Sequence, residues 1–257
     1  MPKWTAFPYE NKAFQYTLAS LKKNWARLHQ GDGEPWPKEE AVQKAWLHFH
    51  AGDFKKAVDA GLKVGGAGLT CANKAQSIYA TYLEKNEKTK LELYLEVAER
   101  AEAQQADEPH NPNAFYWQAY ALGRYGQGIT VAKALSQGLG IKIKFALETA
   151  IELAPKHADA HLALGAFHAE VIDKVGPLLG KTQGADPATG LKLLTQAGKL
   201  APHSAIGMIE RANGLVMLEG EKRLEEAEAL YLKAAACEPL DAMECLDIEL
   251  ARSELED

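Results

Sequence analysis

The sequence predicts an all-α fold of stacked antiparallel helix hairpins, and three observations lead to that prediction. At three places an Ala lies five residues before a Pro, with a bulky residue three positions before the Ala: Leu147/Ala150/Pro155, Leu194/Ala197/Pro202 and Tyr231/Ala234/Pro239. A Pro ends a helix because it lacks a backbone N–H and its ring clashes with the preceding turn. After each of the first two prolines a new helical apolar stripe begins, and such recurrence is typical of repeat architectures.

Small residues occur where the two helices of a hairpin must come close. Ala227, Tyr231 and Ala234 are spaced i, i+4, i+7 and therefore share one helix face. Gly165 lies inside the helix that follows Pro155, where a glycine costs about 1 kcal/mol relative to alanine. We therefore expect the paired helix to pack directly against Gly165.

Five hairpins account for most of the chain. They are expected at about 39–67, 68–107, 112–155, 158–202 and 205–239, after a lead-in helix (8–29) and loop within 1–38 and before a capping helix within 240–257. Pro155 and Pro202 are 47 residues apart whereas Pro202 and Pro239 are 37 apart, so the repeats are irregular. The extra residues fall at Gly126–Gly140 and Asp173–Asp186, which we predict to be insertions.

The composition indicates a globular protein. Of the 257 residues, 47% are hydrophobic and 25% are charged, close to the average of folded domains. The net charge of −6 and the absence of a long basic run argue against a nucleic-acid partner. No run approaches the roughly 20 apolar residues that span a bilayer, and the N-terminus lacks the apolar segment of a signal peptide. Cys71, Cys237 and Cys245 are scattered, which predicts reduced thiols and a cytoplasmic location.

Glycine-rich segments do not match a nucleotide site. Gly176 is separated by three residues from Gly180-Lys181-Thr182, whereas a phosphate-binding loop needs four, and one of the three is a proline. We interpret this segment as part of a flexible insertion loop, with nucleotide-dependent catalysis as the alternative. Gly65–Gly68 and Gly123–Gly128 follow no strand and are interpreted as turns between helices.

The histidines allow two interpretations. His157 and His161 are spaced i, i+4 and would suit a shared zinc ion on one helix face. His161 and His168, however, share one helical stripe with Leu164 and Gly165, which favours packing between helices. We therefore predict no metal and no cofactor. The sequence contains neither a Gly-x-Ser-x-Gly nor a His-Glu-x-x-His motif, so we predict that the protein is not an enzyme.

These features resemble the tetratricopeptide (TPR) repeat, which has Trp, Leu, Gly and Tyr in its first helix and Ala, an aromatic residue, Ala and Pro in its second. The best match is Ala227/Tyr231/Ala234/Pro239. With its insertions, the stretch 90–239 is similar to the regulator-of-microtubule-dynamics proteins and to the repeat proteins associated with TRAP transporters. The resemblance implies a right-handed superhelix whose first helices line a concave groove.

Transferred position by position, the resemblance nominates groove residues on the first helices. They are Trp46, Phe49, Phe115, Gln118, Leu122, Tyr125, Asp159, Leu162 and Arg211. Aromatic and Arg side chains are common anchors for a bound peptide. The alternative for Trp46, Phe115 and Tyr125 is packing between helices.

The leading functional hypothesis is a non-enzymatic cytoplasmic adaptor that binds a partner protein or peptide in the groove. The alternative is a small-molecule-binding accessory protein whose apolar pocket is closed by the insertions at 126–140 and 173–186. Apolar residues of the terminal helix predict either a cap on the array or a homodimer contact. They are Leu240, Met243, Leu246 and Leu250.

Overall fold

The computed structural model describes residues 4–9 and 12–256, and every regular element in those ranges is a helix. The all-α prediction is confirmed. The α-helices are α1 (Leu18–Leu28), α2 (Glu40–His50), α3 (Phe54–Val64), α4 (Leu69–Tyr82), α5 (Glu87–Asp107), α6 (Pro112–Gln127), α7 (Val131–Ser136), α8 (Leu139–Leu153), α9 (Ala158–Thr182), α10 (Pro187–Leu200), α11 (Ala205–Glu219), α12 (Leu224–Ala235) and α13 (Ala242–Glu256). Short 3-10 helices occupy Lys12–Phe14, Gly66–Gly68 and Gly220–Arg223.

Polar side chains define where several helices begin. The Asn111 side chain accepts a hydrogen bond from the Asn113 backbone, and Pro112 takes the first helical position of α6. Asp186 caps α10 and Ser204 caps α11 in the same manner. Such a cap contributes about 1 kcal/mol because it satisfies a backbone N–H that has no partner within the helix.

The chain divides into two compact units. Unit 1 contains the described residues before Gln30 together with Glu34–Thr149 and Leu240–Met243. Unit 2 contains Gln30–Gly33, Ala150–Pro239 and the described residues from Glu244 onwards.

In unit 1, α4 is buried on almost every side, and its polar residues are bonded to α5. The Arg100 guanidinium donates to Asn73 Oδ1 at 2.6 Å and to Gln76 Oε1 at 2.9 Å. Gln104 Nε2 donates to Thr70 Oγ1 at 3.1 Å. Burial lowers the pKa of Arg100, since a low-dielectric environment disfavours its charge. The network satisfies groups that would otherwise each cost about 1–3 kcal/mol to bury.

A second buried contact in unit 1 joins residues from distant parts of the chain. His50 Nδ1 donates to Asp241 Oδ2 at 2.6 Å, and both side chains are buried. The Nε2 atoms of His50 and His29 lie 3.3 Å apart. The Tyr16 hydroxyl donates to the Leu240 carbonyl at 2.8 Å. Leu240–Met243 is therefore held in unit 1 by side chains from α2 and from the segment before α1.

In unit 2, glycines let α10 approach its neighbours. A Cβ atom at Gly165 of α9 would lie 2.8 Å from the Leu194 side chain and 3.1 Å from the Leu194 backbone nitrogen. A Cβ atom at Gly214 of α11 would lie 2.5 Å from Leu194 Cδ1. Leu194 is therefore enclosed by two helices at positions where only glycine leaves room, in agreement with the packing expected at Gly165.

The C-terminal helix contributes to a core cluster of unit 2. Ile248 and Ala251 of α13 pack with Met208 and Ile209 of α11 and with Ala234 of α12, and Leu250 packs against that cluster. Leu246 is buried, whereas Leu240 and Met243 are half-buried. Two of the four apolar residues that predicted a cap or a homodimer contact, Leu246 and Leu250, therefore pack inside the chain.

The insertions contain more helix than the sequence indicated. α9 continues to Thr182, with a kink at Gly176 (φ 78°) immediately before Pro177, so the predicted loop is wrong over most of its length. The left-handed glycine and the missing proline N–H together account for the kink. The insertion at Gly126–Gly140 contains α7.

Two further expectations need correction. Gly123 and Gly126 lie inside α6 rather than in a turn, whereas Gly65 and Gly66 have the positive φ values of a turn, 70° and 43°. In the N-terminal segment, α1 begins only at Leu18, because Thr17 and Ser20 form a capping box there.

We predict that Gly165→Ala destabilises the protein by about 1–3 kcal/mol, because the new methyl group overlaps the backbone of α10. The matched control is Gly123→Ala, where nothing lies within 4 Å of the added Cβ. That control gains helix propensity and is expected to stabilise the protein by about 0.5–1 kcal/mol. Urea unfolding measures both variants, and equal effects would refute the close approach at Gly165.

We also predict that His50→Phe lowers the free energy of unfolding by about 3–5 kcal/mol, because it removes the donor to a buried carboxylate while keeping an aromatic ring. The control is Glu40→Ala, which removes a solvent-exposed pair with Lys44 and should leave stability unchanged. Tryptophan fluorescence during urea unfolding reports the difference. Indistinguishable midpoints for the two variants would contradict a structural role for the His50–Asp241 pair.

Candidate functional site

Four of the nominated residues lie along one face of α6. Phe115, Gln118, Leu122 and Tyr125 are spaced by three, four and three residues. They are 9%, 8%, 7% and 5% exposed, respectively, so all four are largely buried. Gln105 Nε2 of α5 donates to Gln118 Oε1 at 2.9 Å, which fixes the orientation of that amide. α6 therefore presents a narrow, rigid stripe.

Trp46 and Phe49 are fully buried, in contrast to the groove position expected for them. The Trp46 ring packs edge-on against Trp25 of α1, with ring centroids 5.6 Å apart. The Lys74 ammonium of α4 lies 5.9 Å from the Trp46 ring and 5.2 Å from the Phe49 ring. Because α1 and α4 cover this face of α2, both residues belong to the core of unit 1.

The three nominated residues of unit 2 contact their own chain. Leu162 packs with Leu194 and Ala197, because it shares a face of α9 with Gly165 at i, i+3. The Asp159 backbone N–H donates to the Gly31 carbonyl at 3.0 Å. Arg211 donates to Glu226 at 3.0 Å and so links α11 with α12. Leu162 is therefore a core residue rather than a groove residue.

An irregular segment of the chain itself lies against first helices of unit 1. Glu34 belongs to the stretch 33–37, which has no regular structure. Asn113 Nδ2 at the start of α6 donates to Glu34 Oε2 at 2.7 Å, and Trp25 Nε1 donates to the Glu34 carbonyl at 2.7 Å. Burial raises the pKa of the Cys71 thiol of α4, and the Glu34 carboxylate raises it further. The Glu34 side chain is thus close to the starts of both α4 and α6.

No sequence motif indicated the Glu34 contact. Glu34 and Asn113 are 79 positions apart, and neither residue belongs to the repeat pattern. The one signal in the sequence is the Pro-Trp-Pro run at 35–37, which favours an extended backbone.

The stretch of sequence that contains α6 has basic but no acidic side chains. From residue 109 to residue 147 the chain has no Asp or Glu, although it has 35 acidic residues in total. The same stretch contains Arg124, Lys133, Lys142 and Lys144. This part of unit 1 is therefore basic within an acidic protein and attracts negatively charged groups.

The histidines that suggested a zinc site form local hydrogen bonds. His157 Nδ1 accepts from the Ala160 backbone, and His161 Nδ1 donates to the His157 carbonyl at 2.9 Å. His168 Nδ1 accepts from the Asp186 backbone at 3.0 Å. One ring nitrogen of each histidine thus forms a hydrogen bond with the backbone at the start of a helix. Within residues 4–9 and 12–256, no group of three or more His, Cys, Asp or Glu side chains is placed to hold a metal ion.

The His29–His50–Asp241 chain has the order of groups that can orient a general base, and all three side chains are buried. His29, His50 and Asp241 are 3%, 0% and 3% exposed. The His29 ring stacks on Trp25 with centroids 3.9 Å apart. The three residues thus form a buried hydrogen-bonded chain in the core of unit 1.

Comparisons with known proteins support the repeat fold. Residues 69–174, which are less than half of the chain, match a family described as regulator of microtubule dynamics protein 1-3. A crystal structure of a thermophilic TPR protein from Thermus thermophilus superposes with a TM-score of 0.58 at 19% sequence identity. The match covers 83% of this chain and 98% of that one. No curated protein matches the sequence significantly.

Among residues 4–9 and 12–256, no helix has the length and apolar character needed to cross a membrane. Helix pairs occur throughout the described chain, and its helices superpose on those of a TPR structure. The chain is a TPR-like helical-repeat protein.

Proposed function

We propose that this chain is a non-enzymatic scaffold that holds an extended segment of a partner protein against the first helices of its helix pairs. Phe115, Gln118, Leu122 and Tyr125 of α6 are the proposed contact residues. Asp159 and Arg211 lie on the first helices of unit 2, and they are proposed as contact residues there.

The observation that carries the proposal is the way in which the chain holds its own segment 33–37. An amide at the start of α6 binds the Glu34 carboxylate, and an indole binds the Glu34 backbone. An extended peptide presents unpaired backbone groups and alternating side chains. An indole N–H can bind its backbone carbonyls, and an amide can bind its acidic side chains. A partner segment bound further along α6 would use the Gln118 amide in the same way.

Rigidity supports this use of α6. Gln105 holds Gln118 and also donates to the Ala114 carbonyl at 3.2 Å, so α5 fixes two points of the stripe. A surface that is ordered before binding loses little conformational entropy when a partner binds. The acid-free stretch 109–147 favours partner segments that contain Asp or Glu.

The proposal is tested by selecting peptides from a random phage-displayed library on the full-length protein. We expect enrichment of acidic peptides with an apolar or aromatic anchor. Gln118→Ala should weaken their binding about tenfold, the effect of losing one hydrogen bond to a charged group. Fluorescence polarisation with a labelled selected peptide measures the affinity, and circular dichroism verifies that the variant is folded.

The matched control is Gln183→Ala, which removes the same amide at the end of α9, outside the proposed surface. It should bind the selected peptide as tightly as the parent protein. Equal binding by Gln118→Ala would place the site elsewhere. Failure to enrich peptides, combined with a small molecule released on unfolding in native mass spectrometry, would support the small-molecule alternative instead.

A further inference from the structure

Exposed apolar side chains of the described chain lie on one face of α7 and on one face of α8. Val131 and Leu135 of α7 are 44% and 50% exposed, and Ile141 and Phe145 of α8 are 71% and 64% exposed. Each pair is spaced i, i+4, so its members are neighbours on one helix face. Together with Lys133 and Lys142, these four residues are called the α7–α8 surface below.

The short helix in this surface has no buried apolar side chain to hold it in place. α7 has six residues and no buried side chain. A helix shorter than about 12–15 residues is marginal in water unless its apolar face packs against something. The Thr130 cap satisfies one backbone N–H of α7 but covers neither Val131 nor Leu135. A partner that packs on these two side chains would supply the missing burial.

The polar residues of the α7–α8 surface are basic. Lys142 is exposed and has no carboxylate partner among the described residues. Lys133 lies with its ammonium 5.8 Å from the Tyr125 ring. The nearest acid along the chain is Glu148, which is paired with Lys144 at 3.1 Å. The surface therefore suits a partner that combines apolar side chains with negative charge.

α12 presents that combination. Leu224 and Leu232 are 52% and 54% exposed, and Glu225 and Glu228 are exposed beside them. The neighbouring cations are already used, since Lys222 and Arg223 pair with Glu219 and Glu226. In the described part of the chain, Glu225 and Glu228 have no such partner. These two leucines and two glutamates are called the α12 surface.

We propose that the protein self-associates, with the α7–α8 surface of one copy docked on the α12 surface of a second copy. The exposed leucines of α12 pack against Ile141 and Phe145, and Glu225 and Glu228 face Lys142 and Lys133. An amphipathic helix that lies on an apolar surface flanked by opposite charge is a common recognition mode. Because every copy carries both surfaces, the α7–α8 surface of any copy can meet the α12 surface of another.

A second copy fits the surface better than an anionic membrane does. Glu148 follows Phe145 by three residues on α8 and would face the lipid phosphates, whereas a protein surface needs only local complementarity. Charge complementarity also selects the orientation of the second copy. Two α7–α8 surfaces, or two α12 surfaces, carry charge of the same sign and repel each other.

The test is sedimentation velocity over a range of protein concentrations. The parent protein is expected to move from the 28.1 kDa monomer towards larger species as its concentration rises. The pairs Lys133→Glu/Lys142→Glu and Glu225→Lys/Glu228→Lys should each weaken association about tenfold or more, because both surfaces then carry the same sign. In an equimolar mixture, the α7–α8 surface of each variant meets an α12 surface of opposite charge on the other variant. The two variants should therefore associate with each other.

The matched control is Lys38→Glu/Lys88→Glu, which changes the net charge equally at exposed positions outside both surfaces. It should associate like the parent protein, and urea unfolding shows whether each variant is folded. A parent protein that stays monomeric at all concentrations overturns the proposal. So does a mixture of the folded variants that fails to associate, or a monomeric parent that binds phosphatidylserine vesicles through Lys133 and Lys142.

Discussion

The structure depends on the burial of α4 among the helices around it. A helix buried on almost every side must satisfy most of its polar side chains internally, and α4 carries the buried polar residues Thr70, Asn73, Lys74, Gln76 and Ser77. α5 supplies partners through Arg100 and Gln104, which bond to three of these five residues. Because an unsatisfied group in such a position is costly, this polar network favours one arrangement of the helices in unit 1.

The contacts of α5 also order the proposed binding surface. α5 satisfies α4 on one side and, through Gln105, fixes Gln118 of α6 on another. α6 is consequently well ordered, and its nominated residues expose only small areas to solvent. The segment around Glu34 lies at the start of this stripe, where an amide of a first helix binds a carboxylate from an irregular segment. The contacts that stabilise unit 1 thus also order the surface that is proposed to bind a partner.

Charge is distributed unevenly along the molecule, and this matters more than its net value. A chain of net charge −6 contains 39 consecutive residues without an acid. In the described part of the chain, Glu225 and Glu228 of the α12 surface have no ion-pair partner. The proposed self-association rests on this separation of opposite charges along the sequence. The net charge alone would have predicted only solubility and mutual repulsion.

The sequence by itself determined the helical class, the helix ends at Pro155, Pro202 and Pro239, and the close approach at Gly165, because periodicity and helix stops are local properties. Only the tertiary structure decided what covers each face. Trp46 and Phe49 have the periodicity of groove residues, yet α1 and α4 bury them. His29, His50 and Asp241, like Glu34 and Asn113, meet across long sequence separations. A helix period identifies which residues share a face, but packing decides what that face meets.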